Sequence, residues 1–173
     1  MTRTKKLTIT ALISALSVVL LALGTLSQVL DLSMAAIVSC FVVFCRVELG
    51  GPYPYLFWAT TSLCTDLILP SVGGAGLIFA LLGLYPLLKA YFERLHPVLS
   101  WALKLVLAAV LLVAFIYLAK FVLMMPDAVF SGWMLPLFFA VALIAFVLYD
   151  IALSRMIIYY GLRIRPRIAR FLK

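Results

Sequence analysis

The sequence predicts an all-α integral membrane protein, a six-transmembrane-helix bundle with both termini cytoplasmic. Three observations carry that expectation. Of 173 residues, 67% are hydrophobic and only 12% charged, with a mean hydropathy of +1.25, whereas a soluble domain keeps about a quarter of its residues charged to cover its surface. The apolar residues fall into six runs separated by polar or Gly/Pro breaks. Threading those runs back and forth puts 13 of the 14 Lys and Arg on one face.

The expected spans are 7–26, 32–49, 53–69, 75–91, 98–124 and 135–160, with a basic tail at 161–173, all in one membrane domain covering 1–173. The first follows Arg3, Lys5 and Lys6, a start like that of a signal peptide. Its apolar run, however, reaches Gln28 and Asp31 without a small-residue cleavage pattern, so it is expected to stay as the first helix. The second loses its uncharged stretch at Cys45, short of the about twenty residues a crossing needs, and Arg46 is expected to snorkel to the surface. Gly50-Gly51-Pro52 ends it. The third stops at the break from Pro70 to Gly74, where Gly73-Gly74-Ala75-Gly76 reads as a tight turn into the fourth. Arg94 to Pro97 separates the fourth from the fifth, and Met125-Pro126-Asp127 through Trp133 separates the fifth from the sixth.

The net charge of +8 then has a topological meaning. Arg3, Lys5, Lys6, Arg46, Lys89, Arg94, Lys104, Arg155, Arg163, Arg165, Arg167, Arg170 and Lys173 share the face of both termini, and Lys120 stands alone near the other. By the positive-inside bias the first face is cytoplasmic, and an even number of spans keeps both basic ends there. The tail is expected to rest on anionic lipid. It lacks the interleaved aromatics of a single-strand binder, so no nucleic acid is expected as a partner.

Ionisable groups within spans are costly and need a partner, a cavity or a water path. Trp58, Ser62 and Asp66 follow i, i+4 spacing, putting an aromatic ring, a hydroxyl and a carboxylate on one stripe near the outer end of the third span, beside Thr61 and Thr65. That stripe lines an outward cavity, or else Asp66 reaches the interface and the hydroxyls satisfy backbone carbonyls. Lys120, flanked on its stripe by Tyr117 and Met124, breaks the charge bias and needs compensation from Asp31, Asp66 or Asp127. It forms either a structural pair or the polar end of a ligand pocket walled by Trp133. The expected substrate-binding residues are therefore Ser62, Asp66, Lys120 and Trp133. Lys104 and Asp150 lie at similar depth on consecutive antiparallel spans and are expected to pair structurally.

No enzyme template fits: HExxH, GxSxG, a P-loop and the dinucleotide-binding glycine pattern are all missing from the sequence. No catalytic residue and no cofactor is expected. Cys40, Cys45 and Cys64 form no CxxC pair and read as small hydrophobes, and His96, the only histidine, makes a metal site unexpected. Small residues at 8, 11, 15 and 22 give one face of the first helix room for close backbone approach.

The basic start followed by Ala11-x-x-x-Ala15, six spans in a short chain, Val47-Glu48-Leu49-Gly50-Gly51 and Leu84-Tyr85-Pro86-Leu87-Leu88-Lys89 resemble the substrate-binding S components of energy-coupling factor (ECF) transporters. The resemblance implies a receptor in a bacterial cytoplasmic membrane that takes a vitamin-like micronutrient from outside. It also implies docking through Ala11 and Ala15 on a transmembrane T component powered by two ATPase subunits. The riboflavin, thiamin, biotin and cobalt subgroups are not matched. A competing resemblance, carried by Thr65-Asp66-Leu67-Ile68-Leu69 and the glycine-rich turn, is to membrane scaffolds of the MreD type in cell-wall synthesis, which bind partners rather than a nutrient.

Overall fold

The computed structural model describes residues 2–27, 30–68, 75–93, 96–122 and 134–164. Six α-helices account for nearly all of them: α1 (Arg3–Ser27), α2 (Asp31–Phe44), α3 (Tyr53–Ile68), α4 (Ala75–Phe92), α5 (Pro97–Val122) and α6 (Met134–Tyr159). No strand occurs among the described residues. Five of these segments are long and apolar enough to cross a bilayer, with α2 counted together with the π-helical turn Cys45–Leu49 that prolongs it. That turn supplies the length the uncharged part of the second run lacks. The remaining helix, α3, has 16 residues, about 24 Å at 1.5 Å per residue, against about 30 Å of hydrocarbon. The chain is a multi-pass membrane protein.

Local chemistry sets the ends. Pro97 opens α5 at a first-turn position, where its missing N–H costs nothing. Gly50 and Gly51 carry φ of 60° and 58° between the π-turn and α3, a left-handed pair that side chains with a Cβ rarely adopt. Pro86 lies inside α4, buried. It has no N–H for the Leu82 carbonyl one turn earlier, an orphan that lipid cannot satisfy. The Tyr149 hydroxyl of α6 lies 3.5 Å from that oxygen and also donates to Ser39 Oγ on α2.

Helices α1 to α4 form the dense part of the molecule. Leu21, Val38, Val42, Phe57, Phe79 and Leu87 interlock at its centre. Helix α1 enters through a stripe of small and hydroxylated residues, Thr10, Ser14, Ser17, Gly24 and Thr25, all buried. Their hydroxyls are mostly satisfied on their own helix, Thr10 on Lys6 O, Ser17 on Ile13 O and Thr25 on Leu21 O at 2.7 to 3.1 Å. Ser14 instead meets Thr60 of α3 at 3.2 Å. A Cβ on Gly24 would come within 3.0 Å of Met34, which shows how closely α1 and α2 approach. Lipid is as apolar as a core of leucines, so short side chains that bring backbones together decide which face turns inward.

Helices α5 and α6 lie at the side of this unit. Leu105, Val106, Val110, Val141, Ile144 and Leu148 are exposed along them, as expected of surfaces that meet acyl chains. Their buried positions concentrate at Ser100, Lys104 and Ala108 on α5 and at Asp150 and Leu153 on α6, beside the end of α4.

Candidate functional site

Two polar regions can be built from the residues upward, one at each end of the helices. The first lies where α4 ends, α5 begins and α6 completes its second half. Lys89, Lys104 and Asp150 are 1%, 6% and 3% exposed. Lys89 Nζ donates to Asp150 Oδ1, to the Asp150 carbonyl at 3.0 Å and to Ser154 Oγ at 2.6 Å. Lys104 Nζ donates to the other carboxylate oxygen, Oδ2, at 3.0 Å. The Tyr85 hydroxyl donates to Oδ1. Glu93, whose side chain is about half exposed, lies 3.5 Å from Lys89 and 3.9 Å from Lys104. Two ammonium groups and two carboxylates therefore balance.

Helical spacing explains how the sequence builds this centre. Tyr85, Lys89 and Glu93 stand at i, i+4 and i+8 on α4, and Asp150 and Ser154 at i and i+4 on α6, so each helix presents one polar stripe to the other. The Lys104–Asp150 pair expected from depth is present. Lys89, Tyr85, Ser154 and Glu93 were not expected in it. The available signal was the four-residue rhythm of Tyr85, Lys89 and Glu93. Chemically the cluster is closed: all three protons of Lys89 and both oxygens of Asp150 are engaged. A satisfied ion network of this kind fixes the register of three helices.

The second region lies where α3 ends and α4 begins. Its stripe on α3 faces α4: Trp58 Nε1 donates to Ala80 O at 2.8 Å, and the Asp66 carboxylate lies over Gly76 in the first turn of α4. A Cβ at Gly76 would collide with Asp66 Oδ1 and stand 3.1 Å from the Asp66 backbone nitrogen. Glycine makes that approach possible, and the carboxylate sits at the positive end of the α4 dipole. Ser62 is buried, with its hydroxyl on the Trp58 and Ala59 carbonyls at 2.9 and 3.2 Å. Thr65 bonds Thr61 O at 2.8 Å, and Thr61 Oγ1 is buried without a hydrogen-bond partner. Lys120 is exposed in the last turn of α5. Trp133, like Gln28, Phe130 and Asp127, lies outside the described residues.

Ala11 and Ala15 are exposed on α1 outside its buried hydroxyl stripe, among Leu7, Leu12, Leu16 and Val19. The small residues that pack α1 into the molecule are thus a different set from the alanines. The three cysteines are unpaired with one another, Cys45 buried and Cys64 exposed. Comparison of the chain with protein-family models, with curated proteins and with solved structures finds no match.

Proposed function

We propose that the chain is the substrate-binding subunit of an ECF-type importer in a bacterial cytoplasmic membrane. In this reading it crosses the bilayer six times with both termini cytoplasmic. It takes a micronutrient from the outer face, where Ser62, Asp66, Lys120 and Trp133 hold it. It then docks on a T component driven by two ATPase subunits. It catalyses no reaction and carries no cofactor.

The observation that supports this reading is the rotation of α1. The helix packs into the bundle through Thr10, Ser14, Ser17, Gly24 and Thr25 and leaves Ala11 and Ala15 open. A pair of short side chains one turn apart among exposed leucines leaves a notch that a second helix fills better than disordered acyl chains do. The closed ion network gives a fixed base at one end, while the outer ends of α3, α4 and α5 carry the polar groups suited to a small ligand.

The test is purification with and without co-expressed T and ATPase subunits, followed by mass spectrometry of co-purifying small molecules. Capture of a small molecule by the isolated chain, and assembly lost on Ala15→Trp with the ligand retained, is the expected result. Assembly with cell-wall synthesis proteins and no ligand would favour the scaffold reading instead.

A further inference from the structure

A groove of about 350 Å³ opens on the surface where α1, α2 and α6 meet. Ile13 and Leu16 form one wall, Cys40, Phe41 and Phe44 its floor, and Met156, Tyr159 and Tyr160 the other wall. Its lining shares no residue with the two polar regions described above, and its Leu16 wall borders the Ala11 and Ala15 face that the transport reading assigns to docking. We propose that this groove holds one acyl chain of an anionic phospholipid, with the headgroup at Arg163.

Depth comes first. Lys6 Nζ donates to the Leu49 carbonyl at 2.7 Å, which places the start of α1 level with the end of α2. From that level Leu16 is ten residues along α1, about 15 Å at 1.5 Å per residue. The groove therefore occupies about the half-thickness of the hydrocarbon layer, the depth of one leaflet. Its walls are almost wholly apolar, which suits a chain of methylenes and offers a polar ligand nothing.

The polar end selects the headgroup. Tyr160 donates to Glu48 Oε1 at 3.1 Å and meets the Phe44 ring edge-on at 5.9 Å, which closes the groove's floor there. The exposed Arg163 donates to the Tyr159 hydroxyl at 3.5 Å with its guanidinium 5.7 Å from that ring. Arg3 and Lys5 are exposed at the neighbouring start of α1, and Lys6 lies over the Tyr53 ring. Glu48 is the acidic group in this set, tied to Tyr160, so the mouth is net positive and complements a phosphate diester.

The experiment is native mass spectrometry of the purified chain given equal amounts of phosphatidylglycerol and phosphatidylcholine with matched acyl chains. One retained phosphatidylglycerol is expected per chain. Arg163→Gln should lower the preference by about fivefold, the effect of one basic residue at an anionic surface. Met156→Trp, which fills the groove from α6, should abolish retention. If that variant does not fold, Leu16→Trp fills it from an exposed position on α1. Equal retention of both lipids by the unaltered chain, or an undiminished phosphatidylglycerol adduct in the filled variants, would overturn the proposal. So would a lipid-free dimer, which would make a second copy the occupant.

Discussion

Lys89 on α4 grips Asp150 on α6 twice, donating to its carboxylate and, at 3.0 Å, to its backbone carbonyl. One ammonium thus fixes both the side chain and the main chain of α6 at a single point. The same carboxylate accepts from Lys104 and Tyr85, so Asp150 is the centre through which α5 and α6 are fastened to α4.

Asp150→Asn should therefore be among the most destabilising conservative changes in the chain. It leaves two buried ammonium groups facing an amide, and breaking a buried pair from one side costs about 3 to 5 kcal/mol. Lys104→Met together with Asp150→Asn should cost less than the sum of the two single changes. Thermal melts in detergent measure both, and additive losses would show that the two residues do not share one network.

Tyr149→Phe removes a hydroxyl that donates to Ser39 Oγ and stands 3.5 Å from the Leu82 carbonyl released by Pro86. A loss of about 1 to 3 kcal/mol is expected, the cost of leaving a buried polar group unsatisfied. Pro86→Ala restores the helical donor, so Tyr149→Phe should cost less in that background. An unchanged loss would separate the tyrosine from the proline.

Ala15→Trp and Ser17→Leu change neighbouring positions on opposite sides of α1. Ala15 is exposed and Ser17 fully buried. The first should leave the melting temperature unchanged while abolishing partner assembly. The second should destabilise the isolated chain by about 1 to 3 kcal/mol, the usual cost of overpacking. If Ala15→Trp unfolds the isolated protein, the alanine face is an internal contact.

Gly76→Ala displaces the Asp66 carboxylate from the first turn of α4. If Asp66 holds the ligand, Gly76→Ala and Asp66→Asn should both weaken binding, the latter by the about 1.5 to 3 kcal/mol of a charge-assisted hydrogen bond. If Asp66 only complements the α4 dipole, both should lower the melting temperature and leave affinity unchanged. Lys120→Met separates the same alternatives on α5.

Topology is checked by cysteine labelling from outside. A cysteine placed at Asp127 should react and one at Arg170 should not, as the partition of basic residues requires. The reverse pattern would invert the topology.

The sequence by itself determined the all-helical, multi-pass membrane class, because in lipid an apolar run of this length satisfies its backbone polar groups as a helix, and glycine and proline mark where the runs break. It also contained the Lys104–Asp150 pair, since depth along two consecutive helices follows from counting residues. What it could not determine was rotation about each helix axis. In a soluble protein polar residues mark the outward face, but here both faces are apolar, so α1 reads equally well with Ala11 and Ala15 or with Ser14 and Ser17 turned inward. Packing of the hydroxyl stripe against α3 and of Gly24 against Met34 decided it. The same holds for Lys89, Tyr85 and Asp66, whose partners depend on which helices become neighbours. The α4–α6 contact joins residues 61 apart in the chain, and no local pattern encodes that distance.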